Sequence, residues 1–318
     1  MNNNFTFDDE KAYAMCYELQ QAWNLEVGAF KHYRDKQMPE ATLPSNVEPK
    51  SKEHANYLFW CSVTNYQTVA DELFPRMRNL HEKQPEMFNP AHVREVDDDE
   101  LASFVEQIKH IPDEMFRRWR YDADLFKEYD DNITNTHKTE NIVDAQKEVM
   151  KFSGFAYKQS ALLLYWLQKY DIIESFDETD LNIPVDVHVQ RISVRRDVCD
   201  FEGKTRQGVL EKFLRNEYQR FFKENKEFSP FETQGQMWVL GSQSCVKNTK
   251  CKKNCVFEKP CKRDLYVERE ARNLQKNGQE YHGASGICWV DGNRPYRPRN
   301  MKHKLADNQQ KLDFSCEC

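Results

Sequence analysis

Four cysteines lie close together in the last third of the sequence, and they constrain the fold more than any other feature. Cys245, Cys251, Cys255 and Cys261 fall within seventeen residues, with five, three and five residues between them. Four such thiols, in a chain expected inside the cell, indicate either tetrahedral zinc or an iron–sulfur cluster. Zinc fingers and ribbons usually present two close CxxC pairs, whereas these intervals describe a single wrapped loop. The sequence therefore predicts a metal-bound loop.

A second feature is a tight turn that leads directly into an apolar helix. The turn is Phe152-Ser153-Gly154-Phe155-Ala156-Tyr157-Lys158, and an apolar run follows from Ser160 to Leu167. Gly154 is the only glycine in the turn and marks where the chain reverses. A turn that opens a helix presents backbone N–H groups at the positive end of the helix dipole. We therefore predict that the backbone around Gly154 binds a phosphate.

Two ionisable residues lie at or near predicted helix starts, where their side chains could take part in catalysis. Lys158 lies beside the turn at the start of the apolar helix, where a lysine can serve as a nucleophile. Asp186 follows Pro184, which cannot extend a helix backwards, so we expect Asp186 at or near a helix start. Spacing alone favours structural interpretations, a solvated lysine and a helix cap. Catalytic roles for the two residues are inferred from the whole set of motifs, which resembles that of a known enzyme family.

The motifs follow one another in an order known from one enzyme family. The hairpin with its lysine, the run from Ile183 to Arg191 and the cysteine loop resemble the helix-hairpin-helix DNA glycosylases. This superfamily includes endonuclease III, adenine glycosylase and 8-oxoguanine glycosylase. The cysteine loop is similar to the iron–sulfur loop of the first two, with Cys251 one position earlier than the family spacing. A loop can absorb that shift, so the resemblance implies a four-iron four-sulfur cluster, with zinc as the alternative.

The resemblance implies an all-α fold of two domains with a DNA-binding cleft between them. A six-helix domain that carries the helix-hairpin-helix would span residues 51–180, and an iron–sulfur domain would span residues 181–264. Residues 1–50, a helix and a linker, would pack with the C-terminal half. Residues 265–318 begin with a helical pattern and form an extension without an assigned role. Apolar periodicity predicts helices at about 8–35, 57–70, 69–83, 98–110, 113–129 and 206–226, with 142–152 leading into the hairpin.

Roles for single residues also follow from the resemblance. Lys158 would attack the anomeric carbon of the sugar and form a Schiff base. Asp186 would stabilise the cationic sugar and assist proton transfer. Gly154 and Ala156 would bind the DNA backbone, with Ala156 standing where the family commonly has a second glycine. The four cysteines of the loop would hold the cluster.

Further residues are expected to contact DNA. Asn65 or Gln67 would fill the stack after a base has been flipped out, although an amide that caps a helix end is an equal interpretation. The formal net charge of −6 argues against indiscriminate binding of nucleic acid, so the position of the positive charge matters. Basic residues concentrate at 191–196 and 247–263. The candidates for DNA contact among them are Arg191, Lys250, Lys252 and Lys253.

The composition indicates the structural class of the protein and its expected location in the cell. With 318 residues, 39% hydrophobic content and only 10 glycines, the chain fits a mainly helical protein with a real core. No apolar run approaches the length that spans a membrane, and the polar start at residues 1–4 does not resemble a signal peptide. We therefore expect an intracellular protein of the cytoplasm, nucleoid or nucleus. Cys16, Cys61 and Cys199 are expected to be thiols of the core.

The expected function is excision of a damaged or modified base from double-stranded DNA by base flipping, with an additional lyase activity at abasic sites. The protein would act as a monomer and would have no membrane partner. Two alternatives remain open. One is a glycosylase without the lyase step, in which Lys158 only contacts phosphate. The other is a DNA-binding protein that keeps the hairpin and the cluster but has no base pocket.

Overall fold

The computed structural model describes residues 4–31, 33, 43–65, 70–108, 112–139, 141–245 and 255–257, and the backbone of 265–276 and 279–291. Helices predominate in these residues, as the sequence predicts. The helices are α1 (Asp9–Asn24), α2 (Lys52–Thr64), α3 (Ala70–Lys83), α4 (Pro90–Glu95), α5 (Asp98–Glu106), α6 (Pro112–Leu125), α7 (Ile142–Val149), α8 (Tyr157–Lys169), α9 (Val187–Arg195), α10 (Gln207–Glu224) and α11 (Pro230–Gln243).

The chain forms two compact units. The terminal unit combines Met1–His32 with Val185–Cys318, and the central unit spans Tyr33–Pro184. Each unit has buried aromatic side chains of its own, so each has its own core. Among the helices that the structure describes, none combines the length and the apolarity needed to span a bilayer.

The central unit is built around α2. Every residue of this helix from His54 to Thr64 is buried, and its start is capped by the Ser51 hydroxyl, which accepts from the His54 N–H. The Trp60 ring stacks on the Trp119 ring of α6, with 4.1 Å between centroids. A helix that is buried all round forms the centre of a helical core. Helix α8, which follows the hairpin, therefore packs against the centre of this core.

The terminal unit is built around α9. Its residues from Val189 to Arg195 are buried. The Ser193 hydroxyl lies 2.6 Å from the Tyr218 hydroxyl of α10, which satisfies both groups away from water. A short antiparallel pair, β1 (Thr6–Phe7) with β2 (Cys199–Asp200), joins the start of the chain to the segment after α9. The N-terminal residues therefore belong to the same core as α9.

The segment that follows the cysteine loop differs from its prediction. Strands β4 (Leu265–Lys276) and β5 (Gln279–Asp291) form an antiparallel hairpin, and β3 (Lys204–Arg206) pairs with the other edge of β5. The prediction that this extension begins as a helix was wrong. Its Glu, Arg, Ala, Gln and Lys residues favour helices locally, but cross-strand pairing overrides such propensities. The all-α prediction therefore holds for most of the described residues and fails at this sheet.

Candidate functional site

The predicted hairpin lies between α7 and α8 of the central unit. Gly154 has a φ of +82°, the left-handed conformation expected of the residue that reverses the chain. Ala156 is the N-cap of α8, and its methyl side chain cannot cap the helix. The side-chain amide of Gln146 on α7 donates to the Tyr157 carbonyl at 3.1 Å and ties the two helices together. The result is a fixed turn whose helix start lacks a side-chain cap from its N-cap residue.

Lys158 is the second residue of α8. Its side chain is half-buried, and the residue before it, Tyr157, is exposed. The apolar face of the helix begins at Ser160, two residues later, and packs into the central unit. The lysine therefore lies at the border between the buried helix and the exposed turn. Lys158 belongs to the central unit, whereas Asp186 belongs to the terminal unit.

Asp186 is the N-cap of α9, as its position after Pro184 predicts. Its Oδ1 accepts from the backbone N–H of His188 at 2.8 Å and from that of Val189 at 3.0 Å. Two N–H donors at a helix start fix the orientation of the carboxylate and favour its charged form. The residue is half-buried, so this fixed carboxylate lies at the edge of the core.

Arg191 is placed differently from its prediction as a DNA contact. It is 2% exposed, and its Nη2 donates to the Gly241 carbonyl at 2.8 Å and lies 2.7 Å from His188 Nδ1. Burial lowers the pKa of Arg191, while the neighbouring Cys245 and Asp186 act in the opposite direction. A guanidinium enclosed in this way has no surface for a DNA phosphate. The structure therefore corrects the prediction and gives Arg191 a role in packing α9 against α11.

Cys245, the first cysteine of the loop, follows the C-terminal end of α11 and is buried. Its sulfur accepts from Arg195 Nη1 at 2.8 Å, and it also interacts electrostatically with Arg191. Arg195 is itself only 2% exposed. Two buried guanidinium groups favour the thiolate form of a cysteine, which is the form that binds metals. The surroundings of Cys245 therefore fit a metal ligand, whether the metal is iron or zinc.

The rest of the predicted loop is described only in part. Cys255 is half-buried, and the Arg196 guanidinium lies over the Phe257 ring at 4.2 Å from the centroid. Cys251 and Cys261 lie outside the described residues. Of the four cysteines, the described residues include only Cys245 and Cys255. These described residues contain no group of three or more potential metal ligands. The contacts of Arg196 nevertheless bring residue 257 close to the end of α9.

Of the other residues predicted to contact DNA, the structure describes only Asn65. Asn65 is the C-cap of α2, where its backbone N–H donates to the Ser62 carbonyl at 3.2 Å. Both interpretations of its side-chain amide, a helix cap and a DNA contact, stay predictions. The remaining predicted DNA contacts lie outside the described residues, namely Gln67, Lys250, Lys252 and Lys253.

The remaining thiols named from the sequence are buried. Cys16, Cys61 and Cys199 have no measurable exposure, and none of them forms a disulfide. Burial raises the pKa of Cys61 to about 12 and raises the pKa of Cys16 further. Such thiols are inert, so they serve as core residues.

A separate cavity of about 530 Å³ lies in the central unit. One wall is formed by residues 134–142 and the other by Ile172–Phe176, at the start of the acidic segment between α8 and α9. No predicted catalytic residue lines it. Because no residue of the turn 152–158 lines it, this cavity is distinct from the hairpin.

Searches for similar proteins give a limited result. Neither the scan against models of protein families nor the search of curated proteins returned a match. Among solved structures, the chain is similar to the 8-oxoguanine glycosylase/lyase of Methanocaldococcus jannaschii in complex with a 15mer DNA containing 8-oxoguanine, at 16% identity and a TM-score of 0.47. The similarity covers 74% of this chain and 100% of that chain.

Proposed function

We propose that the protein is a DNA glycosylase that excises a damaged or modified base, and that Lys158 gives it an additional lyase activity at abasic sites. The observation that carries the proposal is the turn between α7 and α8. It combines Gly154 at positive φ, an N-cap without a polar side chain and a lysine in the first turn of α8. This combination unites a phosphate-binding backbone with a candidate nucleophile in five consecutive residues.

The turn is suited to bind the sugar–phosphate backbone. The first N–H groups of a helix have no partners within the helix, and the helix dipole favours an anion beside them. At α8 the N-cap is Ala156, which cannot supply the oxygen that usually caps such groups. A DNA phosphate supplies that oxygen in our proposal, so α8 is capped by its ligand.

Lys158 performs the covalent chemistry in this proposal. Its unprotonated amine attacks C1′ of the flipped nucleotide, and the bond from C1′ to the base breaks with the electron pair leaving on the base. Opening of the sugar ring then gives a protonated imine between Nζ and C1′. Removal of a proton from C2′ allows the bond from C3′ to the phosphate oxygen to break. Water then hydrolyses the imine, which breaks the bond between Nζ and C1′ and regenerates the lysine. The products are a free base and a nicked strand that ends in the unsaturated sugar aldehyde.

Asp186 stabilises the sugar while the base departs. The carboxylate is held by two backbone N–H groups through Oδ1, so its orientation is set before DNA binds. A preorganised carboxylate stabilises positive charge that develops on the sugar and accepts a proton without reorganisation. The cap is therefore compatible with catalysis, because it fixes the group that the reaction requires.

We also propose that Cys245, Cys251, Cys255 and Cys261 hold a four-iron four-sulfur cluster. When bound, such a cluster supplies a rigid cross-link among four points of the loop. The guanidinium groups of Arg191 and Arg195 support this proposal, because they stabilise an anionic sulfur at Cys245. Lys250, Lys252 and Lys253 of the same loop would then contact DNA phosphates. Zinc, held by the same four sulfurs, is the alternative.

A panel of DNA duplexes tests the function. Each duplex carries one modified base, oxidised bases first, and release of the base is measured with the wild-type protein and with Asp186→Asn. We expect release from at least one duplex by the wild type and release that is at least about a hundredfold slower with the variant. DNA binding without release from any duplex would instead support the non-catalytic DNA-binding protein. Equal release by both proteins would remove Asp186 from the mechanism.

A further inference from the structure

A buried carboxyl group lies beneath the hairpin. Asp122 of α6 has no measurable exposure, and its Oδ1 accepts from the Ser153 backbone N–H at 2.6 Å. Its Oδ2 is buried and has no hydrogen-bond partner among the residues that the structure describes. Burying a carboxyl group with a single partner is costly. A residue retained at that cost, in contact with the turn, points to a role in holding the turn.

The guanidinium of Arg118, one helical turn before Asp122, lies against Gly154. A Cβ atom built on Gly154 would be 2.7 Å from Arg118 Nη1, so a side chain at this position would require the guanidinium to move. The other terminal nitrogen of Arg118 pairs with Glu114, and the side chain is only 15% exposed. Gly154 therefore meets two requirements, a left-handed backbone and space for a guanidinium.

Aromatic side chains hold the two ends of the same turn. The Phe152 ring lies 4.9 Å and the Phe155 ring 5.2 Å from the Phe59 ring of α2, centroid to centroid. The ends of the turn are thus fixed by the core of the central unit. Asp122 and Arg118 of α6 fix its middle, so the backbone of Ser153 and Gly154 is held from both sides.

The electrostatics of this pair suit a backbone that binds an anion. Burial raises the pKa of Asp122 to about 8, with the Ser153 N–H and the Arg118 charge opposing the rise. At neutral pH the carboxyl group is therefore mostly protonated, while Arg118 keeps its charge. A neutral Asp122 adds no negative charge beneath the turn, and the Arg118 guanidinium lies against its backbone, so the turn is suited to bind a phosphate.

We infer that Asp122 and Arg118 are positioning residues for phosphate binding by the hairpin: Asp122 sets the conformation of the Ser153 backbone, and Arg118 supports Gly154 and supplies positive charge. Neither side chain touches the DNA. The inference rests on the proposed function, because it assumes that the turn binds DNA. It adds two residues of α6 that the sequence motifs did not indicate.

The test is DNA affinity measured over a series of salt concentrations, with a duplex that contains a stable abasic-site analogue. Asp122→Leu removes the acceptor, and Asp122→Asn keeps an oxygen at its position. We expect Asp122→Leu to weaken binding by about tenfold and to lower the salt dependence by about one phosphate contact. Asp122→Asn should restore both quantities. Asp124→Asn, an exposed neighbour on α6 that pairs with Lys127, is the matched control and should leave both unchanged.

A second pair of variants keeps the test decisive if Asp122→Leu does not fold. Arg118→Met keeps the length of the side chain but removes its charge, and Glu114→Gln removes the partner but keeps the charge of Arg118. We expect weaker DNA binding with Arg118→Met, by roughly three- to tenfold, and no weakening with Glu114→Gln. Unchanged affinity and salt dependence in folded Arg118→Met and in any folded Asp122→Leu would overturn the inference. Absence of DNA binding by the wild type would instead overturn the proposed function.

Discussion

The Arg195 guanidinium and the Cys245 sulfur lie 2.8 Å apart, although fifty residues separate them in the sequence. Both groups are buried, at 2% and 8% exposure. A hydrogen bond from a guanidinium to sulfur is strong only when the sulfur carries negative charge. The strength of this contact in the terminal unit therefore depends on whether the Cys245 sulfur is protonated. A bound metal would keep that sulfur in its thiolate form.

The first prediction concerns the metal. Cys245→Ser should reduce bound iron and inorganic sulfide to a small fraction of the wild-type content, because it removes one of four ligands. Iron, sulfide and zinc per chain, together with the visible absorption spectrum, measure the effect. Cys199→Ala is the control, since that buried thiol lies in β2 and outside the loop. One zinc per chain without iron in the wild type would establish the alternative cofactor.

The second prediction concerns the lyase step. Lys158→Gln should abolish the covalent adduct that borohydride traps between the protein and DNA, because no imine forms without the amine. Lys169→Gln, which changes the exposed last residue of the same helix, should trap as much adduct as the wild type. Gel electrophoresis of the trapped complex gives the measurement. Base release that continues in a wild type that traps no adduct would support the glycosylase without a lyase step.

The third prediction distinguishes two roles of Asp186, the N-cap of α9 and the proposed catalytic carboxylate. Asparagine is as good an N-cap as aspartate, so Asp186→Asn should change the free energy of unfolding by less than about 0.5 kcal/mol. Asp186→Ala removes the cap of α9 and should cost about 1 kcal/mol. Both variants should reduce base release by at least about a hundredfold. Urea unfolding and single-turnover kinetics give the two quantities, and a loss of activity only in the alanine variant would assign Asp186 a structural role.

The fourth prediction follows from the raised pKa of Asp122, about 8 against an ordinary value of 3.8. Because folding favours the protonated form, its contribution to stability is fully present below about pH 4 and is lost as the pH rises to about 8. Asp122→Asn cannot ionise. The stability of this variant relative to the wild type should therefore rise with pH in this window, by up to about 1.4 kcal/mol per pH unit. Urea unfolding of both proteins at several pH values tests this, and a constant difference would contradict it.

The fifth prediction concerns the close approach of α9 and α11. A Cβ atom on Gly241 would lie 2.5 Å from the Cβ of His188, so Gly241→Ala should destabilise the terminal unit by about 1–3 kcal/mol. Gly235→Ala, on the same helix, meets no atom within 4 Å and should be neutral or stabilising by up to about 1 kcal/mol. Equal urea midpoints for the two variants would show that α9 and α11 can separate at this point.

Local sequence signals predicted the features that depend on neighbouring residues. The turn at Gly154 and the cap at Asp186 both follow from a few adjacent residues, and both are present. Helix positions were predicted from apolar periodicity. The C-terminal ends of some helices were predicted too late in the sequence, where the helix is followed by a turn. The predicted helix at 98–110, for example, ends as α5 at Glu106.

Features that depend on distant residues were missed. The burial of Arg191 follows from the approach of α11, fifty residues later, so the sequence around it resembles an exposed basic helix end. Arg191 and Arg195 are four residues apart on one helix face, and this spacing was the available clue that they act together. The contact between Asp122 and Ser153 has no local signature, because it joins residues thirty-one positions apart.

The packing of Phe152 and Phe155 on Phe59 has a mechanical consequence. Lifting the tip of the loop would expose two phenyl rings to water, at a cost of about 1.5–3 kcal/mol for each ring. The tip of the loop is therefore rigid, and a molecule that binds to it must change its own conformation to fit.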